Sequence, residues 1–145
     1  MYEFDEAIKY INWDVIGISE VRREGEKLER KENGNLFYYY GETRGYRGTR
    51  FFIHQNITNR VVEIKGISER ISILKLRIQE KVNLNIIQVY APTFGSEEHE
   101  MEKFYRRLSE TLESEKEYYN IVMGDWNSKV GHGSTIEGII GPYGI

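Results

Sequence analysis

The sequence predicts an α+β domain, and three features of its hydrophobic pattern lead to that prediction. Apolar residues recur with helical spacing near the amino terminus, which indicates a short amphipathic helix over residues 3–12. Residues 36–78 hold several apolar, β-rich runs separated by glycine-containing turns, as in a sheet that grows by hairpins. A second helical stripe then separates two apolar strands, 84–90 and 121–123, in the order of a strand–helix–strand crossover.

Length and composition are those of one soluble domain. A chain of 145 residues fits one domain, and a domain of that size buries about two-thirds of its unfolded surface. The net charge of -3 argues against a strongly basic nucleic-acid-binding module but leaves a local positive strip open. The absence of cysteine excludes disulfides, thiolate metal sites and a cysteine nucleophile. Because no long apolar run and no apolar signal core are found, we expect an intracellular protein, cytoplasmic or nuclear, without membrane contact.

Apolar runs in the first half of the chain alternate with polar or glycine-containing segments. The charged residues from position 20 to position 30 are interpreted as a loop, and the sequence Asn33-Gly34-Asn35 as a turn. The strands joined by these segments are predicted at residues 14–19, 36–40, 50–53, 61–64 and 70–78, with the last two joined around Gly66.

The second half of the chain supplies the crossover. Residues 84–90 are apolar on both faces, as expected of a central strand. Ser96 is in position to cap the helix that follows. The buried stripe of that helix is predicted to consist of Met101, Phe104, Tyr105, Leu108 and Leu112.

Polar residues follow the strand 121–123 directly at its carboxyl end. Asp125 and Asn127 are two positions apart, so in an extended segment both side chains would face one side, with Trp126 turned away. A carboxylate and an amide that face one pocket form a plausible site for a phosphate ester. The composition of residues 124–127 is also common in turns, and a turn without catalytic function is the alternative interpretation.

A second acid and two arginines are further candidates. Glu20 follows the first predicted strand, and a site built at strand ends would bring it toward Asp125; a solvated acid is the alternative. Arg44 and Arg47 lie in a glycine-rich loop, where they could clamp a phosphate backbone or simply be solvated. The histidines are widely spaced, so none is expected to bind a metal: His54, His99 and His132.

Three segments together resemble the endonuclease/exonuclease/phosphatase superfamily: residues 14–22, residues 88–93 (Gln-Val-Tyr-Ala-Pro-Thr) and residues 124–131. The nearest likeness is to the apurinic-endonuclease-like domains of non-long-terminal-repeat retrotransposons and to the craniofacial development protein 2-like sequences derived from them. The resemblance spans roughly the whole chain. It includes the glycine-led strand after Gly48, although Arg50 stands where the family usually has a small residue.

The resemblance implies a two-layer αββα sandwich and hydrolysis of phosphodiester bonds in nucleic acid, with Mg²⁺ or Mn²⁺ as cofactor and DNA as the expected substrate. It implies that Glu20 holds the metal, for which a carboxylate is well suited. Asp125 would orient or deprotonate the attacking water, and Asn127 would position phosphate or water. Tyr90 would donate a hydrogen bond to the phosphoryl oxygen. Thr93, where related endonucleases often have asparagine, is a candidate for substrate binding together with the two loop arginines.

The family pattern also includes a first strand with a metal- or phosphate-binding asparagine and a last strand with a Ser-Asp-His segment, and neither is found in this sequence. We therefore expect residues 1–145 to form a partial sandwich that lacks the first strand and the carboxyl-terminal strands, with self-association through open sheet edges. Three hypotheses follow: an endonuclease completed by further sequence or another chain, an inactive remnant that at most binds nucleic acid, and a phosphomonoesterase or phosphoinositide phosphatase of the same superfamily.

Overall fold

A computed structural model describes residues 2–19, 23–42, 48–93, 95 and 97–127. Within these residues the chain forms two four-stranded sheets, two α-helices and a short 3-10 helix. In chain order the elements are α1 (Tyr2–Ile8), β1 (Val15–Ser19), β2 (Gly25–Arg30), β3 (Leu36–Gly41), β4 (Thr49–Ile53), the 3-10 helix (Gln55–Arg60), β5 (Val61–Ser68), β6 (Ile71–Gln79), β7 (Val82–Tyr90), α2 (Glu98–Ser114) and β8 (Tyr119–Asp125). The predicted α+β class is confirmed.

The two sheets differ in how their strands are connected. The first sheet has the order β1-β4-β3-β2 and its neighbours are all antiparallel. The second has the order β5-β6-β7-β8, in which β7 and β8 are parallel and joined by α2. This parallel pair is the predicted strand–helix–strand crossover. No helix in the described part of the chain is long and apolar enough to cross a membrane.

The main core lies between the two sheets. Alternate residues of each strand face inward, as the period of a β-strand requires. The inner cluster contains Leu36, Tyr38, Phe51 and Ile53 from the first sheet and Leu74, Leu76 and Ile86 from the second. Burying one such side chain completely stabilises the fold by about 1.5–3 kcal/mol, so these contacts hold the two sheets together.

Each helix packs on the outer face of one sheet. Phe4 of α1 stacks on Phe52 of β4, with ring centroids 4.5 Å apart. Phe104 and Leu108 of α2 pack on the second sheet, in a cluster with Ile71, Ile73, Ile87, Val89 and Ala91. The order of layers in the described residues is therefore helix, sheet, sheet, helix, as the resemblance implied. The first helix ends at Ile8, earlier than predicted.

The buried stripe of α2 differs from the prediction at two residues. Phe104 and Leu108 are buried, as predicted, but Tyr105 is 44% exposed and Thr111 is buried in addition. The Thr111 hydroxyl donates to the Arg107 carbonyl oxygen at 2.7 Å, so its polar atom is satisfied within the helix. The residue at the amino-terminal cap is Glu97, and the predicted cap Ser96 lies outside the described residues.

The prediction of a charged loop before residue 30 is wrong over its second part, because residues 25–30 form β2. This strand pairs with β3 over six positions, from Gly25 opposite Gly41 to Arg30 opposite Leu36. It lies at the edge of its sheet, where charged side chains are common because they discourage pairing with other chains. The Tyr38 hydroxyl also donates to Glu26 at 2.7 Å. Backbone pairing, and not an apolar pattern, defines this strand.

The predicted turn around Gly66 is also wrong. β5 continues through Gly66 to Ser68, and the turn to β6 falls at Glu69 and Arg70. A side chain at position 66 would overlap the ring of Tyr40, which packs against the glycine from the other sheet. The glycine is therefore explained by close approach of the two sheets.

Arg50 lies on the outer face of the first sheet. Its guanidinium carbon is 4.8 Å from the ring centroid of Phe37 and 5.9 Å from that of Phe52, distances at which a cation is attracted to an aromatic face. Burial lowers the pKa of Arg50, and the neighbouring charge of Arg23 lowers it further. The aromatic surface accommodates the long side chain of Arg50.

Ion pairs join the carboxyl end of α2 to the second sheet. Lys65 Nζ lies 2.6 Å from Glu115 Oε1, and Lys75 Nζ lies 3.1 Å from Glu117 Oε1. The hydrogen bond from Lys65 and the charges of Lys65 and Lys75 lower the pKa of Glu115 below its usual value of 4.5. Glu115 therefore contributes stability that is present above that value and is lost as the pH falls through its lower, folded-state pKa.

We expect Glu115→Gln to be less stable than the parent at neutral pH, with the difference shrinking as the pH falls below about 4.5. Thermal melts between about pH 7 and about pH 3 measure this difference. Glu113→Gln, on an exposed position of the same helix, is the matched control and should follow the parent throughout. A stability difference between Glu115→Gln and the parent that is constant over this range would contradict the linkage.

Candidate functional site

The carboxyl ends of the parallel strands β7 and β8 meet at one edge of the second sheet. Their last residues, Tyr90 and Asp125, are register partners. The backbone N–H of Ala91 donates to the Asp125 carbonyl oxygen at 2.8 Å, which extends the pairing by one residue. Two residues that are far apart in the sequence are thereby neighbours at the position where open sheets commonly carry their sites.

Asn127 reaches this edge through a turn. It has a φ of +46°, a left-handed conformation that asparagine tolerates better than most residues. Its backbone N–H donates to Asp125 Oδ1 at 2.9 Å, which is the hydrogen bond of an Asx turn. The predicted extended arrangement of the two side chains is wrong, and the turn is present. The amide Nδ2 of Asn127 donates to the Ala91 carbonyl oxygen at 2.7 Å, so the turn brings Asn127 onto the end of β7.

Trp126 anchors this turn. Its side chain is half-buried and packs against the cluster under α2, with its ring centroid 6.3 Å from that of Phe104. The prediction that Trp126 turns away from its two polar neighbours is consistent with this packing. Burial of the indole fixes the segment between Asp125 and Asn127 and leaves Asp125 exposed.

Asp125 and Tyr90 present complementary groups at this edge. Among the described residues, the Asp125 carboxylate has no ion-pair partner, and the hydrogen bond that it accepts is the one within the turn. The Tyr90 side chain is half-buried, and its hydroxyl makes no hydrogen bond to another described residue. An ionised carboxylate accepts hydrogen bonds or coordinates a cation, whereas a phenol donates. The pair is chemically suited to an attacking water and a phosphoryl oxygen.

A group of hydrogen-bonded polar side chains joins the two sheets beneath this edge. Gln88 Nε2 donates to Ser19 Oγ at 2.9 Å, and Ser19 Oγ donates to the Val89 carbonyl oxygen at 2.9 Å. Thr49 and Ser72, which neighbour Ser19 and Gln88 within their sheets, share a further hydroxyl–hydroxyl hydrogen bond. These bonds fix the carboxyl end of β1 against the end of β7. Sequence reasoning missed this group, although each member is a polar residue within an otherwise apolar strand.

Gly17 makes room for this arrangement. A Cβ atom at position 17 would lie 2.6 Å from Gln88 Cδ and 2.7 Å from Met123 Cε, distances that real Cβ atoms do not reach. The glycine in β1 therefore allows Gln88 to cross between the sheets and meet Ser19.

Of the other predicted site residues, Glu20, Arg44 and Arg47 lie outside the described residues. Thr93 is exposed and follows the end of β7. His54 accepts a hydrogen bond from the Asn56 backbone N–H at 3.1 Å, so it caps the 3-10 helix.

The described residues alone do not form a complete donor set for a metal ion. They contain no group of three or more histidine, aspartate or glutamate side chains that could hold a metal ion. Asp125 nevertheless provides one exposed carboxylate at the strand edge, which is the oxygen chemistry that Mg²⁺ and Mn²⁺ take. The side chain present fits such an ion as one ligand of a larger set.

Two known proteins are similar to almost the whole chain, although no protein-family model matches it. Craniofacial development protein 2 from Bos taurus is 34% identical over 143 residues, which cover 97% of this chain and 24% of the relative. The protein of the same name from Tragulus javanicus is 36% identical over 138 residues, which cover 93% of this chain and 23% of the relative. The chain is related to craniofacial development protein 2. It spans about a quarter of the length of these relatives.

Proposed function

We propose that this chain carries the catalytic edge of a metal-dependent endonuclease of the retrotransposon-derived type, which hydrolyses phosphodiester bonds in DNA. The observation that carries the proposal is the convergence of Tyr90, Asp125 and Asn127 at the paired carboxyl ends of β7 and β8. The resemblance of these segments to the endonuclease/exonuclease/phosphatase superfamily supports it. The relationship to craniofacial development protein 2 is compatible with the same origin.

The chemistry of each side chain suits one role. Asp125, exposed at the end of its strand, would orient or deprotonate the attacking water. Tyr90 would donate to the phosphoryl oxygen on which charge develops. Asn127 commits one amide hydrogen to Ala91, which leaves its other amide hydrogen and its oxygen to position phosphate or water.

Glu20 would hold the divalent cation, because a hard cation prefers carboxylate oxygen. It follows Ser19 in the sequence, and Ser19 is hydrogen-bonded to the Val89 carbonyl oxygen next to Tyr90. When bound, Mg²⁺ or Mn²⁺ would stabilise developing phosphoryl charge by several kcal/mol. Thr93, Arg44 and Arg47 would add contacts to the DNA backbone.

Nicking of supercoiled DNA and of DNA with an abasic site should require Mg²⁺ or Mn²⁺ and stop when a chelator is added. The assay is run on the 145-residue chain and on the full protein product of the open reading frame that contains it. A phosphomonoester and a phosphoinositide are tested as parallel substrates. Undiminished nicking in chelator would overturn the metal requirement. Hydrolysis of the monoester or lipid without nicking would identify a phosphatase, and DNA binding without hydrolysis would identify an inactive relative.

A further inference from the structure

A buried cation lies directly behind Tyr90. Arg70, in the turn between β5 and β6, is only 8% exposed. Removing a charged group from water is strongly unfavourable unless partners compensate its charge. The contacts of this guanidinium therefore show which groups compensate its buried charge.

Arg70 contacts Tyr90 in three ways. The Tyr90 backbone N–H donates to the Arg70 carbonyl oxygen at 2.8 Å. In the opposite direction, Arg70 Nη1 donates to the Tyr90 carbonyl oxygen at 3.0 Å. The guanidinium carbon also lies 5.5 Å from the centroid of the Tyr90 ring. Both backbone polar groups of Tyr90 and its ring are thus held by one residue at the last position of β7.

The second arm of the same guanidinium binds α2. Arg70 Nη2 lies 3.0 Å from Glu100 Oε1, in the first turn of that helix. The planar fork of arginine can donate in two fixed directions at once, which a lysine ammonium cannot reproduce. Glu100 therefore compensates the buried charge and restricts the direction in which the guanidinium presents its other arm to Tyr90.

We propose that Arg70 is a positioning residue for the candidate site: with Glu100 as its counter-ion, it fixes the Tyr90 phenol for donation to a phosphoryl oxygen. This inference rests on the function proposed for Tyr90. It adds the β5–β6 turn and the first turn of α2 to the machinery of the site. Misplacing a catalytic donor by about 1 Å can cost about 10²-fold in rate, so such a support has a measurable effect on turnover.

Arg70→Gln should lower kcat on DNA about 10- to 10²-fold, with KM changed by no more than a few-fold. Arg70→Lys, which keeps the charge, should recover part of kcat. The matched control is Lys75→Gln, because Lys75 is similarly buried and pairs with Glu115 and Glu117 at the opposite end of α2. The control should lower the melting temperature while kcat stays within a few-fold of the parent. An equal loss of kcat in both variants would reduce Arg70 to a structural role and overturn the proposal.

A double-mutant cycle asks whether Arg70 acts through Tyr90. If it does, Arg70→Gln should have little further effect on kcat when Tyr90 is already phenylalanine. Independent, multiplicative effects of the two substitutions would overturn the proposal.

A readout without turnover separates this proposal from the proposed function. With 3-fluorotyrosine at position 90 alone, the parent should give one narrow ¹⁹F resonance, and Lys75→Gln should give the same. Arg70→Gln should give a broadened or multiple resonance, and Arg70→Lys an intermediate one. If the parent hydrolyses no DNA, the proposed function fails and this spectrum alone decides. If Arg70→Gln does not fold, Arg70→Lys serves in its place, and a narrow, unshifted resonance would overturn the positioning role.

Discussion

Asp125→Ala should lower turnover on DNA about 10²- to 10⁴-fold, the range expected for a lost acid or base. The melting temperature should fall by no more than a few degrees. Asp125 is exposed at the end of β8 and has no ion-pair partner among the described residues. The hydrogen bond that the substitution removes is the one from the Asn127 backbone N–H, which is worth about 0.5–1.5 kcal/mol. A large effect on rate with a small effect on stability distinguishes a catalytic carboxylate from a structural one.

Two further variants separate the charge from the turn. Asp125→Asn keeps an oxygen that can accept from Asn127 but removes the ionised carboxylate, so it should preserve the turn and still lose most of the turnover. Glu113→Ala removes an exposed carboxylate from α2 and should leave both turnover and melting temperature near those of the parent. Single-turnover kinetics and thermal melts measure all three. If Asp125→Ala keeps turnover within a few-fold of the parent, the alternative of a turn without catalytic function is correct.

The sequence predicted those strands whose apolar pattern reports burial, and it failed where pairing or close approach decides the structure. β7 and the crossover through α2 are recognisable from hydrophobic periodicity alone. β2 is charged and mostly exposed, and its backbone pairing with β3 holds it in the sheet. Backbone pairing cannot be recognised from amino-acid composition. Gly66 was interpreted as a turn because a glycine that admits the Tyr40 ring looks the same locally as one that bends the chain.

The site residues likewise include some that the sequence indicates and others that depend on packing. Asp125 and Asn127 were recognisable because they follow a strand and carry a family pattern, and Tyr90 came from the family pattern alone. The register of Tyr90 with Asp125 depends on a crossover. The contacts of Arg70 with Tyr90 depend on the β5–β6 turn, which the sequence analysis placed at Gly66. A single arginine between Glu69 and Ile71 has no distinguishing spacing. Its partners are set by packing between elements distant in the sequence.

Gly124→Ala should destabilise the fold by about 2–4 kcal/mol, a cost that combines overpacking with backbone strain. Gly124 has a φ of +141°, which residues with a Cβ atom rarely adopt. A Cβ atom there would also overlap the Val89 carbonyl oxygen and lie 2.9 Å from the Val89 carbonyl carbon and nitrogen. These Val89 atoms belong to the backbone of the neighbouring strand and cannot rotate away as a side chain could, so β8 must move away from β7.

That movement should reach the site as well as the core. The Val89 carbonyl oxygen also accepts a hydrogen bond from the Ser19 hydroxyl. The next register pair along the two strands is Tyr90 with Asp125. We therefore expect turnover to fall about 10²-fold, as for a misplaced catalytic group, and the melting temperature to fall by about 4–16 °C, at about 2–4 °C per kcal/mol for a domain of roughly this size.

Gly25→Ala is the matched control for the close approach at Gly124. Gly25 also has a positive φ, of +99°, but no other atom lies within 4 Å of the position that a Cβ atom would take there. The control should lose only the conformational share, about 1 kcal/mol, and keep its turnover. Equal stability of the two variants would mean that β8 does not pack on Val89 as closely as the structure has it.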